Sequence, residues 1–210
     1  LVFRTAQETQ NTLSYGEEAL SQQVAEPRAV REHLLPLKNL KPGTRYQWRL
    51  NDGATCTFAT PAIQASSDPL YHFGAGGDSH FGDSLSASAS GDPTIVPSIL
   101  KFVAEPRQQF NAFFVVGDSV NMGSTLADWQ IALNTFAPFT CNVPLRPLMG
   151  NHDALINGAP QYLAHFYPQG METPSGTRDY NRIDAGRAHL IMLKMLWGVE
   201  SFSEGQRAWF

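Results

Sequence analysis

Two hydrophobic rhythms divide this sequence near residue 61, and one layer of secondary structure cannot satisfy both. Before that point, LVFRT, NTLSYG, REHLLPLKNL, TRYQWRL and ATCTFAT alternate apolar with polar residues and are bounded by Gly, Pro, Asn or Asp. Short strands recurring at roughly ten-residue spacing, with few helix-period stripes, imply an all-β sandwich. After it, strand-like runs alternate with helical ones: Tyr71 to Gly77, Thr94 to Gln108, Ala112 to Val116, Leu126 to Phe136 and Val143 to Met149. That alternation predicts βαβ units around a buried, largely parallel sheet. Arg178 to Gly186 and Ala188 to Met195 read as two further strands. The Ala-, Ser- and Pro-rich stretch from Pro61 to Pro69 reads as a linker, which predicts domains at 1–62 and 70–210.

Composition narrows the function classes. A hydrophobic share of 42% against 16% charged residues excludes disorder as the main state. Fifteen Lys and Arg face 19 Asp and Glu, a net charge of -4 with no basic run, so no nucleic-acid surface is predicted. The apolar run around Phe113 to Val116 is far below the roughly 18 residues of a membrane span, and nothing resembles a signal peptide. The two cysteines, Cys56 and Cys141, could form a disulfide. With no cysteine framework, the favoured expectation is separate buried hydrophobes.

The chemistry gathers where the strands of the second region end. They run into Gly77-Asp78-Ser79-His80, Gly117-Asp118-Ser119-Val120-Asn121 and Gly150-Asn151-His152-Asp153. Any one of these is an ordinary turn. Three in succession at strand ends, where open α/β sheets bind ligands, point to a site. Two divalent cations roughly 3.5 to 4 Å apart need an anionic bridge with oxygen and nitrogen ligands around it. Asp78 and His80 can reach one ion, Asp118 can bridge, and Asn151 can offer a carbonyl oxygen to the second. His152 is then free beside the site to protonate a departing oxygen. These ligands suit Mn, Fe, Zn or Ni.

These motifs resemble the calcineurin-like metallophosphoesterase superfamily, whose ordered signature is D-x-H, G-D-x-x-D/N and G-N-H-D/E. Upstream, Leu40-Lys41-Pro42-Gly43-Thr44-Arg45-Tyr46 resembles the corner of fibronectin type III domains, where the Tyr46 hydroxyl would bond back across the turn. A fibronectin-like sandwich before such a domain also resembles purple acid phosphatases and related secreted phosphoesterases. The resemblance implies Asp78 and His80 on the first metal, Asp118 as bridge, Asn151 on the second metal and His152 as general acid. Secretion or a periplasmic location follows from the same analogy. Two positions depart from the purple subtype: Asn121 stands where those enzymes carry Tyr, and His80 is present where they lack His. In protein-phosphatase relatives an Asp at the place of Asn121 favours the protonated His; Asn121 would orient the His152 ring without holding its charge as well.

Gln206 and Trp209 look like the Q-x-x-W of a further helix, and the family's two later histidine motifs do not follow. His165, His189, His33 and His72 read as structural, and Trp48 and Trp197 as packing residues. The expectation is therefore a fibronectin-like sandwich followed by an α/β metallophosphoesterase domain, both incomplete. Its function would be two-metal hydrolysis of a phosphomonoester or phosphodiester, with the remaining ligands supplied by further sequence or a second chain. The chain alone is expected to be inactive. The rival reading is a non-catalytic binding or adhesion module with a degenerate metal site, and a third is hydrolysis of a non-phosphate ester. Substrate choice would lie in loops such as Leu155 to Thr177.

Overall fold

The computed structural model describes residues 1–62, 71–82, 95–105, 110–185, 188–197 and 202–210. The first region contains β1 (Val2–Thr9), β2 (Thr12–Gly16), β3 (Gln22–Ala25), β4 (Val30–Leu34), β5 (Arg45–Leu50) and β6 (Cys56–Ala59). Strands β1 and β4 pair antiparallel, and a second antiparallel sheet runs β3-β2-β5-β6. Strand β3 was not legible in the sequence, because Val24 is its one large apolar residue and its pairing with β2 comes from the backbone. The corner forms as expected: Tyr46 is buried and its hydroxyl accepts the Lys41 N–H at 2.8 Å. Gly43 takes φ of 59°, which a turn here demands and a side chain would resist. His33 is structural, fully buried between Thr5 Oγ1 at 2.8 Å and Glu26 Oε1 at 2.7 Å.

The second region runs β7 (Phe73–Gly76), α1 (Ile95–Val103), β8 (Ala112–Val116), α2 (Leu126–Thr140), β9 (Leu145–Leu148), α3 (Asn151–Ala154), α4 (Ala159–Phe166), β10 (Asn181–Ala185), β11 (Ala188–Met192) and α5 (Glu204–Trp209). Strands β7, β8 and β9 form a parallel sheet with β8 in the middle. The unbroken apolar run of β8 follows from burial on both faces. Phe113 and Val115 join the core with α1, α2 and α4, while Ala112 and Phe114 pack with Met192, Ile183 and Leu190 of the β10–β11 hairpin. That hairpin is antiparallel and forms its own sheet, so the parallel part is smaller than the sequence implied. Most of the expected Pro61 to Pro69 linker lies outside the described residues.

The cysteine expectation is corrected: Cys56 and Cys141 form a disulfide, with their Cα atoms 4.7 Å apart across a sequence separation of 85. It ties β6 to the residue that follows α2. The same junction carries a hydrogen bond from Thr57 N to Cys141 O at 2.9 Å. A second junction joins β1 to α4 through Arg4 and Gln161 at 3.0 Å. Neither contact leaves a trace in local periodicity. The histidine and tryptophan expectations hold in part. His165 is buried, but His72 and His189 are exposed, and Trp197 is 62% exposed and so not a packing residue.

Candidate metal centre

The three motif loops are held together by main-chain bonds that extend the parallel sheet past its strands. Asp78 N donates to Gly117 O at 3.2 Å, His80 N to Asp118 O at 3.0 Å, and Phe81 N to Ser119 O at 3.0 Å. Asn121 N returns a bond to Phe81 O at 3.0 Å. The third loop joins through Gly123 N, which donates to His152 O at 2.9 Å. The Trp129 indole of α2 donates to Gly123 O at 2.7 Å, fixing the far end of the second loop.

These loops turn sharply. Asp78, His80 and Asp118 adopt φ of 53°, 45° and 49°, a left-handed conformation costing about 1 to 3 kcal/mol each for residues with side chains. Such strain persists only where the surroundings enforce it, and it falls on candidate ligands. Gly150 shows why the third motif begins with glycine: a Cβ there would lie 2.1 Å from Asp118 Oδ1. The bare backbone lets β9 run into its loop directly against the central carboxylate.

Donor atoms of His80, Asp118 and His152 all lie within 4.8 Å of one another. His80 Nε2 faces Asp118 Oδ2 at 3.8 Å, and the His80 and His152 rings meet edge to face with centroids 4.3 Å apart. Asp118 Oδ1 accepts the His152 N–H at 2.9 Å, which leaves Oδ2 for the site. The Nδ1 of His152 lies 2.8 Å from Asn121 O. A carbonyl only accepts, so Nδ1 carries the hydrogen and Nε2 of the neutral ring holds a free lone pair. His80 Nδ1 is buried without a hydrogen-bond partner among the described residues.

Of the residues singled out from the sequence, His80 and Asp118 stand together here. His152, expected beside the site, belongs to the same group. Asp78 lies with Oδ1 3.7 Å from His80 Nε2 but is 84% exposed and outside that group. Asn151 opens α3 next to His152. Asn121 is buried, and it contacts the His152 ring through its backbone carbonyl, not its side chain. Its side-chain Nδ2 donates instead to Gly82 O, so the expected orienting role of the amide is corrected to the main chain.

The residue that sequence reasoning missed is Asp153, the last of the third motif. It is fully buried, with Oδ1 accepting from Ser119 N at 2.9 Å and Val120 N at 3.3 Å and Oδ2 accepting from Gly150 N at 2.9 Å. Burial raises its pKa to about 6 against the opposing pull of these donors. Its place in the G-N-H-D motif was the available signal.

Comparison with known proteins gives a fold. No protein-family model matches the chain, and no curated protein sequence does. A solved structure does. The fold is similar to that of purple acid phosphatase PPD1 from seeds of yellow lupin (Lupinus luteus), with a TM-score of 0.63 at 16% identity. The match covers 96% of this chain and 42% of that one, so this chain spans less than half the length of the phosphatase.

Proposed function

We propose that this chain carries the metal-binding region of a metal-dependent phosphoester hydrolase. The observation that carries the reading is the convergence of His80, Asp118 and His152 at the carboxyl edge of a parallel sheet. The His80 nitrogen and the Asp118 carboxylate oxygen are donors of the kind that fit a first-row transition ion, with His152 beside them. When bound, divalent ions there would polarise phosphoryl oxygens and lower the pKa of water. Asp118 would bridge two ions, with Asp78 turning inward to the first and Asn151 serving the second. His152, with Nδ1 held by the Asn121 carbonyl, presents Nε2 to receive or deliver a proton at the leaving oxygen. The antiparallel N-terminal region serves as a fibronectin-like support, proposed as a domain over residues 1–62. The Cys56–Cys141 disulfide favours an oxidising compartment such as the periplasm or the exterior.

The test is metal titration by calorimetry together with hydrolysis of a nitrophenyl phosphate and a bis(nitrophenyl) phosphate, on this chain and on Asp118→Asn. Metal binding that Asp118→Asn weakens by more than about a hundredfold, beyond the usual range for outer-shell changes, is expected. A protein that binds no Mn, Fe, Zn or Ni would overturn the reading. Metal binding without hydrolysis in a longer form of the protein that supplies the remaining ligands would favour the binding-module alternative.

A further inference from the structure

Asp153 occupies a position that neither metal binding nor proton transfer uses, yet it bonds to two of the three loops that carry the site. Its Oδ1 holds the amides of Ser119 and Val120, immediately after Asp118, and its Oδ2 holds the amide of Gly150, two residues before His152. In return, Asp118 Oδ1 holds the amide of His152. Two carboxylates thus exchange backbone donors between the loop after β8 and the loop after β9.

The crossing has a geometric consequence. Asp118 sits at φ of 49° and so needs an outside restraint, which the bonds to the next two amides supply. With Oδ1 of Asp118 occupied by the His152 amide, Oδ2 is the oxygen turned toward His80, at 3.8 Å. We infer that Asp153 is the positioning residue of the centre: it clamps the two loops in register so that Asp118 Oδ2 and the His80 and His152 rings meet at one point. The inference rests on the metal-centre reading above and names the residue that aligns it.

The amide pattern explains why a carboxylate is required. All three atoms facing Asp153 are N–H donors, so a side chain with its own N–H cannot serve both loops. Asp153→Asn keeps the shape but points an NH2 group at either Gly150 or the Ser119–Val120 pair. Either the cap of α3 at Gly150 or the bond to the neighbouring loop at Ser119 and Val120 is then lost, and a buried donor is left unpaired.

The experiment is Co2+ titration, read by calorimetry and by the visible ligand-field spectrum, on the wild-type chain, Asp153→Asn and Tyr46→Phe. Circular dichroism checks that each is folded at the titration temperature. Tyr46→Phe removes a stabilising bond far from the centre and controls for lost stability alone. Asp153→Asn should lower Co2+ affinity about tenfold or more and change the spectrum, while Tyr46→Phe leaves both at wild-type values. A folded Asp153→Asn with wild-type affinity and spectrum would overturn the inference and leave the metal-centre reading standing. A wild-type chain that binds no Co2+ would overturn both. Should Asp153→Asn fail to fold, amide hydrogen exchange on the wild type decides. Protected Ser119, Val120 and Gly150 amides in the metal-free protein support the clamp, and rapid exchange at all three overturns it.

Discussion

Asp118 accepts the backbone N–H of His152 through Oδ1 at 2.9 Å and faces His80 Nε2 through Oδ2 at 3.8 Å. One carboxylate therefore divides its work, one oxygen fastening the third loop and the other facing the site. The two histidines come from loops that leave the strands on either side of β8, and their rings meet each other beside it. The candidate centre is in this sense organised by the middle strand of the sheet, and a change at Asp118 would act on the candidate ligand and the scaffold together.

His152→Ala is expected to lower turnover far more for poor leaving groups than for activated nitrophenyl esters, in a hydrolytically competent form of the protein. The reason is that Nε2 is the ring atom free to deliver a proton once Nδ1 is committed to Asn121 O. Comparing kcat for the two substrate types checks it. Equal losses would reassign His152 from proton donor to metal ligand.

Asn121→Asp should destabilise the fold and fail to improve catalysis. The amide is 1% exposed and its Nδ2 donates to the Gly82 carbonyl, so a carboxylate there would face an oxygen in place of that donor bond. An uncompensated buried charge costs about 3 to 5 kcal/mol. Burial holds the introduced carboxyl above its unfolded pKa, so the penalty is greatest at alkaline pH and shrinks as pH falls and it protonates. Urea denaturation of both proteins at pH 5 and pH 8 measures this, and a variant as stable as wild type at pH 8 refutes it.

Reduction of the Cys56–Cys141 bond should loosen the junction between the two regions. Opening a link across a separation of 85 restores chain entropy to the unfolded state worth about 4 to 5 kcal/mol. A Cys56→Ala, Cys141→Ala double variant is expected to show a lower denaturation midpoint by a corresponding amount. An unchanged midpoint would mean that the other contacts at the junction suffice.

Acid should weaken the packing of α4. His165 is buried beside Trp129 and Phe166, its ring nitrogens have no hydrogen-bond partner among the described residues, and burial lowers its pKa to about 4, aided by Arg4 of β1. Because the folded pKa lies below the unfolded value near 6.5, the neutral ring's contribution is complete above that value. It is lost as pH falls from about 6.5 toward 4, by at most about 3 kcal/mol before solvent screening reduces it. His165→Phe should flatten the stability profile across that window, as followed by thermal melts. The same slope in both proteins would place the effect elsewhere.

The sequence alone determined whatever depends on neighbours along the chain. The apolar run of β8 announced a strand buried on both faces, Pro42 and Gly43 announced the corner that Tyr46 closes, and the glycine-led loops marked Asp118 and His152 as chemistry-bearing. What tertiary structure decided depends on partners distant in sequence. Cys56 meets Cys141 because α2 ends against β6, the hairpin of β10 and β11 stands apart from the parallel sheet, and β3 owes its place to β2. The centre divides along the same line. His80, Asp118 and His152 could be named from their motifs, but which oxygen of Asp118 faces the site, which nitrogen of His152 is free and why Asp153 is buried are settled by bonds to backbone amides and to the Asn121 carbonyl between loops more than thirty residues apart. Residue identity sets what a side chain can do, while its direction is set by hydrogen bonds that exist only once the strands lie side by side.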